Sequence, residues 1–254
     1  MNSTISRTFQ QLPNQWMLLL VSYCFFFCIT PMVAQRASWV DRPNIQVGVE
    51  FSVLFDSQLL QNFESSTLSN SGNHSFETLT GTSYRFGGFV RFRFYQNQHI
   101  ETGIYRTARR YDSSVSLPSS SDDLATASVQ SIAYELPAIW SVSIRVSETG
   151  YMFAGFGGVA TFFASNFGSF GGDLQLNGIA DPRFIPGIQA HVGYEWDWGS
   201  SGGLYLGGNF QHNFDNVGRM GLRYREGIDT IANGVLDLNG SYFAAVIRYM
   251  LPGS

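Results

Sequence analysis

Two short segments together carry serine, histidine and acidic side chains of the kinds that act in nucleophilic catalysis. His191 and Glu195 are four residues apart, and Ser141 and Ser143 lie together in an alternating segment. A serine nucleophile, a histidine base and an acid are the components of many hydrolase and acyltransferase sites. No nucleophile motif of known spacing accompanies these residues, so we predict no catalytic residues and no enzymatic activity. His191 is interpreted as a polar filler of a protein interior.

A second group is cationic. Arg106, Arg109 and Arg110 lie at the predicted outer end of a strand, where guanidinium groups could bind phosphates of lipopolysaccharide. A similar cluster lies in the last long connection and comprises Arg219, Arg223 and Arg225. Solvated loop charges are the competing interpretation, and the sequence leaves both open.

Patterns for metals and cofactors do not emerge. Asp181 and Asp229 lack the spacing of a calcium loop. The glycine-rich stretch Gly155–Gly158 falls inside a strand, unlike a phosphate-binding loop. Cys24 and Cys28 both fall within the N-terminal apolar segment, so the mature chain has no thiolate ligand. We therefore predict no metal site and no cofactor.

These residues should lie on β-strands, because apolar residues recur at every second position along the chain rather than at the 3.6-residue repeat of a helix. From Ile45 to Phe55, apolar side chains alternate with small or polar ones. Arg85, Arg91 and Arg93 share one face of a segment otherwise rich in phenylalanine. The predicted strands are Asn44–Asp56, Ser83–Tyr95, His99–Thr107, Gln130–Arg145, Tyr151–Ala164, Phe184–Trp198, Leu204–Phe214 and Ser241–Leu251.

The connections between these strands alternate in length. Short ones, rich in Gly, Asn and Ser, cover Gln96–Gln98, Val146–Gly150 and Gly199–Gly203. Long polar ones cover Ser57–Thr82, Ala108–Val129, Ser165–Arg183 and Asp215–Gly240. This alternation predicts an all-β fold, a single antiparallel up-and-down transmembrane β-barrel of eight strands. Both termini would be periplasmic and four long loops extracellular.

The second face of the strands should point into the lumen, because its charges are scattered among small residues and balance in sign. An eight-stranded barrel has an interior that side chains can fill. The predicted lumen charge network comprises Glu50, Arg85, Arg91, Arg93, Glu101, Glu135, Arg145, His191, Glu195, Asp197 and Arg248.

Aromatic residues cluster at the two ends of the predicted strands, as expected of side chains at headgroup depth. The predicted periplasmic belt comprises Trp39, Trp196, Trp198 and Tyr249. The predicted outer belt comprises Phe55, Tyr84, Phe163, Phe184 and Phe214. Ordinary core aromatics are the alternative.

The N-terminus has the layout of a secretory signal. Arg7 precedes an apolar run from Met17 to Ile29, and Ala34 is a small residue at a suitable cleavage position. The run is shorter than the roughly 20 residues of a transmembrane helix. We predict a signal peptide over residues 1–34 and an outer-membrane β-barrel domain over residues 35–254.

The composition agrees with this interpretation. The formal net charge is -4, all 15 basic residues are arginine, and no basic run is present, so nucleic acid is not an expected partner. The mean hydropathy of -0.02 is what a barrel gives, because only alternate strand residues face lipid.

At Tyr134-Glu135-Leu136-Pro137 the chain resembles the bacterial outer-membrane β-barrel domain family labelled "porin family", which includes PorT-like proteins. That family has a Tyr-Leu-Glu-(Ile/Leu)-Pro-like stretch on a middle strand, and here the Leu before Glu135 is missing. Tyr151-Met-Phe-Ala-Gly155 is similar to the opening of its next strand. The resemblance implies an outer-membrane barrel, and PorT-like relatives imply a role in a secretion apparatus. The C-terminus lacks the closing aromatic of such barrels. Because Pro137 has no N–H for the ladder, we predict a β-bulge there.

Several function classes fit these patterns. The first is a non-enzymatic integral outer-membrane barrel with a charge-plugged lumen and a structural, assembly or surface-interaction role. Its partners would be outer-membrane lipid, possible lipopolysaccharide, and membrane proteins reached through the long loops. The alternatives are a narrow diffusion channel, a soluble lipocalin-like carrier, and a lumen-facing lipid-modifying enzyme.

Overall fold

The computed structural model describes residues 44–56, 74–116, 123–164, 166–169, 172–179, 184–216, 218–226, 229–238 and 240–252. These residues belong to one compact unit, Pro43–Ser254. The predicted signal peptide and Trp39 lie outside the described residues. The strands are β1 (Ile45–Asp56), β2 (Ser75–Thr80), β3 (Ser83–Tyr95), β4 (Gln98–Ser116), β5 (Asp123–Arg145), β6 (Gly150–Phe163), β7 (Phe167–Ser169), β8 (Leu174–Ile179), β9 (Phe184–Asp197), β10 (Gly203–Asn213), β11 (Gly218–Glu226), β12 (Asp229–Leu238) and β13 (Tyr242–Met250).

Eight of these strands close into an antiparallel barrel in the order β1, β3, β4, β5, β6, β9, β10 and β13. Closure is made by β1 and β13, whose ladder runs from Gly48 opposite Met250 to Asp56 opposite Tyr242. Each of the other neighbours is also antiparallel. The predicted fold class, an eight-stranded up-and-down barrel, is therefore confirmed.

The barrel strands begin and end close to where the apolar alternation places them. Ser83–Tyr95 is reproduced as β3, and most other barrel ends agree within one residue. The exceptions are β4, which continues to Ser116 rather than ending at Thr107, and β5, which begins at Asp123 rather than at Gln130. The predicted bulge at Pro137 was wrong, because β5 keeps one register with β4 on both sides of this residue and pairs Pro137 with Val159 of β6. The Pro137 carbonyl accepts a hydrogen bond from Thr102 Oγ1 at 2.9 Å.

The barrel wall is polar on the inside and apolar on the outside. On β1, Glu50 and Ser52 are buried in the lumen, whereas Phe51 and Phe55 are exposed on the outer wall. The sequence left the facing of β6 open, and its odd-numbered residues point inward, with Tyr151 among them. In a soluble barrel the apolar face of each strand points into the lumen. Here the apolar face points outward and the polar face lines the lumen.

The long connections are not simple loops but contain strands that build a second structure, which we call the cap. One part of the cap is β2 paired with the outer half of β4, which in turn pairs with the outer half of β5. The other part is a sheet in the order β12, β11, β8 and β7. The β8–β11 ladder joins the connection between β6 and β9 to the connection between β10 and β13.

Apolar side chains from both parts of the cap meet in one buried cluster. The members are Phe76, Tyr111, Val115, Val129, Ala133, Phe163, Leu174, Leu176, Ile185, Met220, Leu222, Ala232 and Leu238. Phe163 and Ile185 belong to barrel strands and point inward at their cap ends, so the cluster lies across the mouth of the lumen. Burial of this apolar surface stabilises the cap without any contribution from the lumen charges. Within the described part of the chain, no helix is long and apolar enough to cross a membrane.

Candidate functional site: the charged lumen

Seven charged side chains meet inside the barrel and alternate in sign along a continuous path, which we call the ionic chain. In order from the cap end they are Glu135, Arg85, Glu50, Arg248, Glu101, Arg91 and Glu195. They come from six of the eight barrel strands. Each residue is at most 4% exposed, so these charges interact with one another rather than with bulk water.

The first links of the ionic chain are centred on Glu50. Arg85 Nε lies 3.1 Å from Glu135 Oε2, and Arg85 Nη1 lies 3.2 Å from Glu50 Oε1. Arg248 Nε then approaches Glu50 Oε2 at 2.7 Å. Glu50 is thus shared by two arginines, which supplies the opposite charge that a buried carboxylate needs.

The remaining links lead toward the end of the barrel with the short turns. Arg248 Nη1 lies 2.8 Å from Glu101 Oε2, and Arg91 Nε lies 3.4 Å from Glu101 Oε1. Arg91 Nη1 reaches Glu195 Oε2 at 2.7 Å. Each arginine therefore bridges two carboxylates from different strands, which ties the wall together across the lumen.

Aromatic rings support the three guanidinium groups. The Cζ atom of Arg85 lies 3.7 Å from the centre of the Tyr105 ring, and that of Arg91 lies 4.2 Å from the centre of the Phe153 ring. Arg248 lies 5.0 Å from the Tyr205 ring centre by the same measure. A planar cation over an aromatic face gains electrostatic attraction and fills space at the same time.

Neutral polar groups complete the environment of the carboxylates. Ser52 Oγ donates to Glu50 at 2.9 Å, and Ser141 Oγ donates to Glu101 at 2.9 Å. At the cap end, the Tyr242 hydroxyl lies 2.9 Å from Glu135 Oε2. Ser141 is thus engaged by an acid rather than by a histidine.

Inward glycines make room for the large rings of the lumen. A Cβ atom on Gly48 would lie 2.6 Å from the ring of Phe89 and 2.5 Å from the carbonyl oxygen of Tyr249. A Cβ atom on Gly207 would collide with the hydroxyl of Tyr205. These inward glycines therefore leave room for aromatic rings, that of Phe89 from the neighbouring strand and that of Tyr205 from the same strand.

Four members of the predicted charge network lie outside the ionic chain. Arg93 is half-buried and donates to Asn44 Oδ1 at 3.2 Å. Arg145 donates to the carbonyls of Ser147 and Glu148 in its own turn, and Asp197 accepts from the Gly199 amide. His191 is buried, and its Nε2 lies 3.6 Å from Glu101 Oε1.

The three arginines predicted as phosphate contacts point in different directions. Arg106 is half-buried and faces outward, opposite Phe86 of β3 and Tyr134 of β5. Arg110 is exposed and pairs with Asp112 at 2.9 Å. Arg109 points inward, is 8% exposed and donates to the Gly240 carbonyl.

A serine–histidine contact that sequence reasoning missed lies near the short-turn end. Ser143 Oγ is 3.1 Å from His99 Nε2, and both residues are buried. The two belong to β4 and β5, and only the register of that pair, which sets His99 opposite Ser141, brings them together. Their burial leaves neither group at a surface where a substrate could reach it. Among the described residues, no cluster of histidine, cysteine or acidic side chains could hold a metal ion.

Exposed aromatic residues mark both ends of the outer wall. Phe55, Tyr84, Phe184 and Phe214 are exposed toward the cap end, and Trp198 and Tyr249 toward the short-turn end. Trp196 is half-buried. The prediction for Phe163 was wrong, because this side chain points inward and belongs to the apolar cluster of the cap.

An eight-stranded barrel with a charged lumen and an apolar wall defines the structural class of the chain. Solved structures similar to it include the outer membrane protein OprG from Pseudomonas aeruginosa, with 8% identity, a TM-score of 0.48 and coverage of 82% of this chain and 96% of that one. The transport unit of the autotransporter AIDA-I from Escherichia coli has 10% identity, a TM-score of 0.31 and coverage of 92% and 98%. The outer membrane protease OmpT from Escherichia coli has 8% identity, a TM-score of 0.29 and coverage of 81% and 92%. No protein-family model and no curated protein matches the chain.

Proposed function

We propose that this chain is a non-enzymatic integral protein of a bacterial outer membrane, with a lumen that does not conduct. The observation that carries the proposal is the pairing of a buried ionic chain with an exposed apolar wall on the same strands. Such a wall would be costly in water but matches the hydrocarbon layer of a membrane. Both termini would then be periplasmic, and the cap would be extracellular.

Two barriers in series support the non-conducting lumen. The ionic chain crosses the interior, and the apolar cluster of the cap covers its outer mouth. An ion entering from either side would have to displace paired charges or open a packed apolar core. A structural or assembly role fits these barriers better than a narrow diffusion channel does.

The charged lumen also opposes a soluble lipocalin-like carrier, because such a carrier needs an apolar lumen for its ligand. A lipid-modifying enzyme would need an accessible nucleophile, whereas Ser141 and Ser143 are buried and bonded to Glu101 and His99 respectively. The outward-facing Arg106 on β4 could bind lipopolysaccharide phosphate, and the cap offers a surface for membrane-protein partners. A secretion apparatus is one setting for such a partner.

The test has two measurements. Cells expressing the full chain should yield the protein in the detergent-extracted outer membrane, with electrophoretic mobility that shifts on heating. Planar bilayers containing the refolded protein should show no steady single-channel steps. Recovery in the soluble periplasm would exclude the membrane location, and steady steps would favour the diffusion channel instead.

A further inference from the structure

Arg109 differs from the other arginines buried in the lumen. Arg85, Arg91 and Arg248 each bridge two carboxylates, whereas the polar contact of Arg109 among the described residues is its bond to the Gly240 carbonyl. The ring of Tyr242 lies against its guanidinium, with 5.0 Å between Cζ and the ring centre. A buried cation without a carboxylate is unfavourable unless an anion completes its surroundings.

Glu135 does not serve as that anion. Its Oε2 atom pairs with Arg85 at 3.1 Å and accepts a bond from the Tyr242 hydroxyl at 2.9 Å. Arg109 contacts the ring of the same tyrosine, so the phenol separates the cation from the carboxylate. Asp112 on the same strand is paired with Arg110 on the outward side.

A cavity lies beside Arg109 at the junction of barrel and cap. It is small, with about 20 Å³ of space for the centre of a water-sized group, and it opens to the outside; its walls include Leu54, Phe55, Ser83, Arg109, Ser241 and Tyr242. Leu54 is buried, while Phe55 faces outward and is 55% exposed. The cavity therefore connects the guanidinium to the outer apolar wall near the ends of β1 and β13.

We propose that this cavity binds the carboxylate headgroup of an amphiphile, with Arg109 as its cationic partner and the alkyl chain against Phe55. Among the described residues that line the cavity, Arg109 is the one charged group, which matches a single negative charge better than a phosphate dianion. A guanidinium with unused N–H groups suits a carboxylate because the two planar groups form paired hydrogen bonds. The inference rests on the proposed membrane location, since the chain of the ligand would lie in the outer leaflet.

The experiment uses the full barrel refolded in phospholipid nanodiscs and [1-13C]octanoate as the probe, observed by carbon NMR against empty nanodiscs. Octanol and acetate test the chain without the charge and the charge without the chain. Octanoate should bind more tightly than either. Arg109→Met should weaken octanoate binding by at least about tenfold, as loss of a charge-assisted bond predicts. Arg219→Met, which removes an exposed arginine of the cap that pairs with Asp237, should leave the affinity unchanged.

Equal binding of octanoate by wild type and Arg109→Met would overturn the proposal, as would binding no greater than that of empty nanodiscs. Acetate binding as tight as octanoate would overturn the amphiphile in favour of a free small anion. If Arg109→Met does not refold, Arg109→Lys keeps the charge but loses the planar fork, and it should still weaken binding measurably. Failure of the membrane location would be seen separately, as recovery of the protein in the soluble fraction.

Discussion

Arg248 Nε lies 2.7 Å from Glu50 Oε2, joining two residues that are 198 positions apart in the chain. The two stand opposite each other on β13 and β1, the strands that close the barrel. Arg248 also reaches Glu101, so one side chain neutralises carboxylates from two other strands. Closure of the wall and charge balance in the lumen therefore depend on the same residue.

Replacing Arg248 should be among the most destabilising changes in the barrel. Arg248→Met leaves Glu50 and Glu101 each with one cation fewer, and we expect a loss of about 3–5 kcal/mol in the free energy of unfolding. Urea unfolding in detergent micelles measures it. Adding Glu50→Gln should recover part of the loss, because the unpaired charge is removed.

The control for that variant is Arg219→Met in the cap. Arg219 pairs with Asp237 at 3.1 Å, but both side chains are more than half exposed. Its loss should cost less than about 1 kcal/mol. Equal costs for the two variants would mean that the ionic chain contributes no more than a surface pair.

Lipid contact is tested by two valines of equal exposure. Val192 on the barrel wall and Val235 on the cap are each 55% exposed. Val192→Arg should destabilise the protein in a bilayer by about 2–4 kcal/mol if it lies in the hydrocarbon layer. Val235→Arg should change stability little, because the cap would be in water. Chemical unfolding from vesicles measures both, and similar effects would argue against a membrane around the wall.

Packing of the cap should be separable from that of the barrel. Leu176 is fully buried in the apolar cluster, whereas Ile179 on the same strand is 51% exposed. Leu176→Ala should cost about 2–5 kcal/mol of local stability through the cavity it leaves. We expect faster proteolysis within the cap, with the heat-modifiable mobility of the barrel retained. Ile179→Ala should digest like wild type, and loss of the mobility shift in Leu176→Ala would show that cap and barrel fold together.

Two neighbouring glycine sites offer a test of close packing in the lumen. Gly48→Ala would place a methyl group against Phe89 and the Tyr249 carbonyl, and we expect a loss of about 1–3 kcal/mol. Gly88 faces outward, where a Cβ atom would meet nothing closer than a carbonyl oxygen at 3.7 Å. Gly88→Ala should therefore be neutral or mildly stabilising. Thermal unfolding of both variants decides the matter.

The alternation of apolar and polar residues predicted the barrel because the pattern of each strand depends only on that strand's own sequence. The inward facing of Glu50, Arg85 and Arg248 follows from alternation alone. Their partners do not, because an ion pair between β1 and β13 depends on a register set by the whole closed wall. Arg93 and Asp197 have the same inward alternation but lie near the ends of their strands. There Arg93 hydrogen-bonds to Asn44 and Asp197 to the Gly199 amide, instead of to the charges of the lumen.

The cap was missed because its strands are short and pair between different connections. Leu174 and Leu176 on β8, like Met220 and Leu222 on β11, do alternate with polar residues. An alternation of apolar and polar residues over strands of only 6 and 9 residues is a weak indication of strand. The polar residues between the apolar ones, Gln175, Asn177 and Arg223, are also typical of loops. Arg109 shows the same difficulty: the sequence predicts a lipopolysaccharide contact or a solvated loop charge, whereas β4 continues to Ser116 and the side chain points inward.

The β8–β11 ladder has a mechanical consequence for the wall below it. β8 lies in the segment leading into β9, and β11 in the segment leaving β10. The hairpin of β9 and β10 is thus joined by its own turn at one end and by the β8–β11 pairing at the other. Separating β9 from β10 would therefore require breaking the β9–β10 and β8–β11 ladders together. Any loosening of the barrel wall would begin between other strands.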